Sequence, residues 1–269
     1  MLTGSEPIMS VSHEYHLPLD PARHQELIAA LGDSPETVIT IHHLRRGSCR
    51  AYVAGDPARF DGAIIQHFGT PAEPTGFGTD PQVLERLLQA MQGWDCISVP
   101  TICAPGLGDA LMRRMRVRVR YLDDIYFHLV QPVPSIQSEV VQRLALAHLP
   151  LLETIPPELH VDGFGSLEAL LSEGIVAGAL IDGQIVAIAR TSARSERHGD
   201  IGVATLEAWR NHGFATAAAA LVARDVQAAG QIPVWSTGAH NAPSLRVAEK
   251  LSFKEVGRHR YVIIDSAGQ

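Results

Sequence analysis

The chain has 269 residues, 46% of them hydrophobic, with a formal charge of -7 and a pI near 6.0. That length accommodates one large domain or two of ordinary size, and the acidic balance leaves no basic face to neutralise a phosphate backbone, so no nucleic-acid partner is expected. Cys49, Cys96 and Cys103, an odd number with no CxxC pair, argue against a disulfide framework or a structural zinc site and predict a reducing, cytoplasmic setting.

The opening MLTGSEPIMS carries an acid and two breakers where a secretory leader needs a basic patch and an apolar stretch. Helix is predicted over 21–31, strands over 49–54 and 62–67, helix over 81–91, strand over 96–99, helix over 106–115, and strands over 117–121 and 125–130. His42 and His43 are expected on a strand, as surface or packed residues. Gly76-Phe77-Gly78 and Gly106-Leu107-Gly108 are expected as turns. Within RRMRVRVR, Arg116, Arg118 and Arg120 alternate with Val117, Val119 and Tyr121, the period of a strand with one wet face. Prolines at 132, 134, 150, 156 and 157 bracket one segment, expected as a helix over 139–149, and the domain boundary is placed near residue 131, giving domains 1–130 and 131–269.

Beyond it, helix is predicted over 166–173 and strand over 175–181. Asp182-Gly183 then suits the positive-φ turn of a hairpin, followed by strand 184–191, a polar loop over 192–199, strand 200–205, helix 213–229, strand 232–236, helix 243–251, and two closing strands near 253–256 and 261–264. Asp182 and Gln184 interrupt the most apolar region, so no window reaches the roughly 18 apolar residues of a membrane span and no membrane partner is expected. The thirteen histidines are scattered without HExxH spacing, and no metal is expected. Both halves follow the order hairpin, long helix, strand, short helix, strands, which reads as a diverged structural duplication.

EAWRNHGFATAAAA, residues 207–220, carries the chemistry. A strand ending in a turn that opens a helix leaves several N–H groups without intrahelical partners, and the helix dipole adds positive charge there. Gly213 and Ala215 let a diphosphate approach those amides, Arg210 adds a formal charge, and the alanine run lets the helix pack closely on a sheet. The chain has neither GK[ST] nor GxGxxG with a downstream acid, so nucleotide triphosphate and dinucleotide readings are weaker.

R-x-x-G-x-A between a strand and a long helix, followed by a strand and Asn241-Ala-Pro-Ser244-Leu-Arg-Val-Ala-Glu-Lys250-Leu-Ser-Phe253, resembles the GNAT N-acetyltransferase superfamily. The resemblance covers roughly 131–265, and the first half echoes it as the degenerate copy of two-domain members related to glycine N-acyltransferases does. It implies a mixed α/β, tandem GNAT-like fold, each half a mostly antiparallel sheet with splayed strands flanked by helices. It also implies an acetyl-CoA-dependent acyltransferase transferring an acetyl group to a primary amine of a small molecule or peptide, with a homodimer possible.

On that resemblance the amides of Asn211, His212, Gly213, Phe214, Ala215 and Thr216 would hold the pyrophosphate, with Arg210 at the mouth. Main-chain groups of Val203 and Thr205 would pair with pantetheine, and Asn241 and Ser244 would contact its far wall, though Asn241 before Pro243 also reads as a helix N-cap. Asp200 is the candidate general base, with Glu196, His198 and Glu207 as alternatives and a solvated strand end as the plain reading. Where relatives often carry an acidic Tyr this chain has Ala248, leaving Tyr261 or water to protonate the thiolate; the usual Gly before the Phe is Ser252. The competing function is a silent acyl-CoA-binding or interaction module.

Overall fold

A computed structural model of the chain describes residues 18–136, 138–159 and 163–265; the opening decapeptide lies outside them. In chain order the elements are α1 (His24–Leu31), α2 (Val38–Arg46), β1 (Cys49–Asp56), β2 (Arg59–His67), β3 (Thr75–Phe77), α3 (Pro81–Gln89), β4 (Cys96–Pro100), α4 (Ala104–Met115) and β5 (Arg118–His128). There follow β6 (Val141–Leu144), α5 (Leu149–Leu152), α6 (Leu167–Glu173), β7 (Val176–Ile181), β8 (Gln184–Arg194), β9 (His198–Thr205), α7 (Phe214–Ala228), β10 (Ile232–Gly238), α8 (Ala242–Lys250) and β11 (Lys254–Asp265).

Among the described residues, eleven strands form one sheet in the order β1-β2-β3-β4-β11-β5-β10-β9-β8-β7-β6. Pairing is antiparallel except at β3–β4 and β9–β10. The final strand leaves its own half: β11 lies between β4 and β5, paired with both, while β5 lies against β10. The expected boundary at residue 131 falls in the segment between β5 and β6.

Helices cover both faces. α3 and α4 bury Leu84, Leu87, Leu107 and Leu111 against Ile64, Ile97 and Val99. On that same face the alanines of α7 approach Ala177, Ala189 and Ile201 closely, joined by Ala248 and Leu251. α1 and α2 pack Leu27, Ile41 and Leu44 on Ala51, Ala63 and Ile65 across the sheet, and Leu170 and Leu171 of α6 meet Val176 and Ile188 on that face of the second half.

Several local expectations change. His42 and His43 sit on α2, because Val38, Ile41 and Leu44 recur at helical spacing and are buried together, and Gly47 closes the helix in the left-handed region. The helix expected over 139–149 is instead strand β6, a 3-10 turn at Leu146–His148 and the short α5, since Pro150 is tolerated only in the first turn of α5. Gly76 lies in strand β3, and Gly106 and Gly108 lie inside α4, where Gly106 closes on Pro81 of α3. The loop expected over 192–199 is mostly strand, because β8 and β9 pair as far as Arg194 and Gly199. Each pair of short strands expected in 117–130 and 253–264 is one long strand, β11 carrying an irregularity between Glu255 and Gly257. Arg116 precedes β5 as the left-handed cap of α4.

The halves are latched by polar groups. Asp33, after α1, accepts from Ser195 Oγ at 2.7 Å, from His198 Nδ1 at 2.7 Å and from the Arg197 amide at 3.0 Å. Burial works against its ionisation, but those three bonds prevail and hold its pKa below the ordinary carboxylate value. On α2, His42 Nε2 donates to the Gly163 carbonyl at 2.8 Å, and Nδ1 then accepts from the Arg194 amide at 3.3 Å. Gly163 has φ +114, and a Cβ there would collide with the Ser192 carbonyl oxygen.

Asp33→Ala leaves two buried donors and an amide unpaired, so it is expected to cost about 2–3 kcal/mol, measured by urea denaturation at pH 7. Because the folded-state pKa is depressed, the contribution of Asp33 is complete above its unfolded pKa and fades as pH falls through the folded one. The gap between wild type and variant should therefore narrow in acid.

Candidate functional site

β9 and β10 are parallel partners for three positions: Ile232 with His198, Pro233 with Gly199 and Val234 with Asp200. Beyond Asp200 they part. β9 runs on to Thr205 hydrogen-bonded only to β8, and β10 runs on to Gly238 hydrogen-bonded only to β5. Two strand edges with free main-chain groups thus diverge around a cleft of 840 Å³.

At its wide end stands the N-terminus of α7. Gly213 is the N-cap, at φ +82, and no side chain caps the helix. The first-turn amides from Phe214 onward are therefore without intrahelical acceptors. A Cβ on Gly213 would meet nothing within 4 Å, so the approach is open. Asn211 is also left-handed, at φ +65, and the two reversals fold the loop back over the helix end.

The cleft brings together Val203, Thr205, Arg210, Asn211, Gly213, Phe214, Ala215, Thr216, Asn241 and Ser244. His212 is not among its lining residues; its ring stacks on Phe214 at 5.5 Å and Nδ1 lies 2.9 Å from the Arg210 carbonyl. Asn241 does cap α8, accepting from the Ser244 amide at 3.3 Å with proline in the first turn. Ser244, which lines the cleft, accepts at Oγ from Trp235 Nε1 at 3.0 Å. Arg246 and Lys250, one turn apart on α8, also line the cleft. Their spacing was readable in the sequence, but which face of α8 would look inward was not.

The corresponding helix of the first half is closed. α3 follows parallel strand β3 as α7 follows β9, yet its N-cap is Asp80, whose carboxylate accepts from the Gln82 amide at 2.8 Å, and Pro81 removes an N–H from the first turn. A side-chain anion already occupies the place a phosphate would take.

Asp200 sits at the apex of the fork, 4% exposed. Ser192 Oγ donates to its Oδ2, and Ser236 Oγ donates to Oδ1 at 3.2 Å. Burial pushes its pKa up to about 6, with the two serine bonds and the Arg190 charge opposing. The carboxyl does not line the cleft itself, but Ser236 does. A second acid shares this setting: Asp124, paired with Gly238 in register, is pushed up to about 6 by burial, then by Asp200 and Glu73. The sequence reading missed it, although in LDDIYF the adjacent Asp123 and Asp124 must face opposite sides of a strand, one of them inward.

The alternative bases lie elsewhere. Glu196 is exposed beside Arg45, His198 is engaged by Asp33, and Glu207 is exposed and outside the cleft lining. Ala248 is 1% exposed and belongs to the core under α7. Tyr261 is on β11, where burial, then Asp124, Glu73 and Cys96, raise its pKa, and no tyrosine lines the cleft among the described residues. All three cysteines are free and buried, and burial raises the thiol of Cys103 to about 11. No helix among the described residues is long and apolar enough to cross a membrane.

Residues 145–263 match the family model described as GNAT acetyltransferase. A search of curated proteins gave no match. Among solved structures, a GCN5-related N-acetyltransferase from Kribbella flavida has a TM-score of 0.63 at 15% identity, covering 89% of this chain and 98% of that one. A GCN5-related N-acetyltransferase-like protein from Streptococcus suis has a TM-score of 0.57 at 20% identity, covering 91% and 99%. A tandem GNAT protein from the clavulanic acid biosynthesis pathway has a TM-score of 0.54 at 12% identity, covering 94% and 99%. Such identities speak to fold alone, but the coverage extends it over both halves. Residues 145–263 therefore match the GNAT acetyltransferase model, and the fold over both halves is one that a solved tandem GNAT protein shares.

Proposed function

We propose that the protein is an acetyl-CoA-dependent N-acyltransferase, acting in the reducing cytoplasm on a primary amine from the fork of its second half. The observation that carries this is the uncapped N-terminus of α7 opening onto the unpaired edges of β9 and β10. The N–H groups there suit a pyrophosphate, the free strand edges suit the amides of a pantetheine arm, and both open onto the same 840 Å³ cleft. A bound acetyl thioester supplies an activated carbonyl.

An alkyl ammonium of pKa about 10.4 costs roughly 4–5 kcal/mol to deprotonate at pH 7, so a base is useful. Asp200 fills that role through Ser236: the amine gives its proton to Ser236 Oγ as Ser236 passes its own to the carboxylate. The nitrogen lone pair forms the new N–C bond, the C–S bond breaks as the sulfur leaves as thiolate, and the second proton that the nitrogen loses goes to that thiolate, giving the amide and free thiol. A thiolate of intrinsic pKa about 8.5 lies within about 2 kcal/mol of stability at pH 7, so Ser244 O–H or water suffices where Ala248 replaces a tyrosine.

The second reading is a module that binds acyl-CoA without turnover, favoured by Ala248 and the absence of tyrosine from the described cleft lining. Incubation with acetyl-CoA and a panel of amines, read by thiol release, separates the two: turnover is expected, and tight CoA binding with no release across the panel would favour the module. Gly213→Glu places a carboxylate at the helix N-terminus and is expected to weaken CoA binding about a hundredfold by calorimetry, about 2.7 kcal/mol; unchanged affinity would overturn the loop assignment. For the wild type, kcat/KM is expected to fall below about pH 6 as Asp200 protonates. Asp200→Asn should lower kcat, remove that limb and leave CoA affinity intact.

A further inference from the structure

At the centre of the sheet, Asp123 and Asp124 turn to opposite faces of β5. Asp123 is met on its face by two guanidinium groups, Arg258 at 3.9 Å and Arg260, which donates to it through both Nε and Nη2. Asp124 shares the other face with Tyr126. Opposite them in register stand Gly238 and Ser236 of β10 on one side, His259 and Gly257 of β11 on the other. Val234, paired with His128, continues this face to the apex of the fork and packs on Val38, so it is the α2 side of the sheet.

The polar groups of this strip are left open. Among the described residues the half-buried Asp124 carboxylate has neither a hydrogen bond nor an ion pair, and the hydroxyl of Tyr126, a residue 6% exposed, has no hydrogen-bond partner. Burial raises the Tyr126 phenol well above its ordinary pKa, and Asp124, Tyr261, Asp200 and Glu36 add to the rise, so the ring lies in the field of both acids. His259, whose ring meets Tyr126 edge-on at 5.4 Å, is held down to about 4 by burial and brings no positive charge at neutral pH. A secluded carboxylate without a counter-charge is costly. An ammonium group answers it, with one positive charge and three donors for the carboxylate and the phenolic oxygen.

We infer that Asp124 and Tyr126, supplied by the first half, form the ammonium-binding site of the second half's fork and hold the acceptor amine beside Ser236 on the α2 side of the sheet. That the ligand is the acyl acceptor rests on the acyltransfer reading; the cation site does not. Asp124 positions the amine and takes no proton from it, a task left to Ser236 and Asp200. The surrounding acids favour an amine with no carboxylate beside it. The site of the second half is thereby incomplete without a strand of the first.

The experiment uses the full chain saturated with CoA, so that no transfer occurs, and reads binding of butylamine, 1-butanol and glycine by saturation-transfer NMR. Butylamine is expected to bind at least tenfold more tightly than 1-butanol, its uncharged counterpart, or glycine, whose carboxylate the strip repels. Its affinity should fall as pH drops through about 6 and Asp124 protonates. Asp124→Asn should weaken butylamine about tenfold and remove most of that pH dependence, and Asp124→Glu should restore part of both. Tyr126→Phe keeps the ring against His259 and should cost about threefold. Unchanged CoA affinity shows that each variant is folded, and the comparison of butylamine with 1-butanol needs no variant. Butylamine binding in this pattern, with no thiol released when acetyl-CoA replaces CoA, would uphold the cation site while the acyltransfer reading fails. Equal affinity for butylamine and 1-butanol, or an Asp124→Asn protein that binds butylamine with the affinity and pH dependence of wild type, would overturn the site.

Discussion

The organising constraint is the point at which β9 and β10 cease to pair. Parallel strands hold each other by regular hydrogen bonds, and to break that ladder inside a sheet leaves amides and carbonyls exposed for several residues. Here the break falls directly after Val234 and Asp200. Each strand stays anchored by its other neighbour, β8 or β5, so the opening is rigid on both sides. The free edges, the helix end at Gly213 and the buried acid at the apex are thus three consequences of one departure from regular sheet.

The two halves can be set side by side. Both halves place a helix after a strand whose next neighbour is parallel, but Asp80 and Pro81 fill the end of α3 while Gly213 leaves the end of α7 bare. The same backbone plan is self-satisfied in one half and receptive in the other, and the difference is a few side chains. What the first half contributes is α2, whose Val38 reaches Ala193 and Val234 of the second half, together with one wall of a groove between the halves, which carries His43 and His67.

Local chemistry made much of this readable beforehand. Asp182-Gly183 takes the positive-φ turn its composition demands, Asn241 and Pro243 start a helix, and the bare glycine before an alanine run marks the uncapped helix end. Periodicity failed where its cues compete: the β-branched residues of VITIHH favour strand by propensity, while Val38, Ile41 and Leu44 bury as a helical stripe. Long-range facts had no local trace. Nothing in SFKEVGRHRYVIID says that the strand will leave its own half, and nothing near His67 says that Gly163 and Phe164, nearly a hundred residues on, will face it across a groove. Asp200 was identifiable as an acid at a strand start; that it would be buried and bridged by Ser192 and Ser236 depends on register.

The placement of β11 fixes an order of events during synthesis. β4 and β5 are not neighbours; the slot between them is filled only by residues 254–265. As the chain emerges from the ribosome, its first half can form helices and the β1–β2 hairpin, but its sheet stays open until almost the whole second half has been translated. Closure joins segments more than a hundred residues apart, a slow step because of the loop that must be ordered. Until then β4 and β5 present bare edges to other nascent chains. The two halves therefore mature together, with the last strand acting as the stitch that completes both.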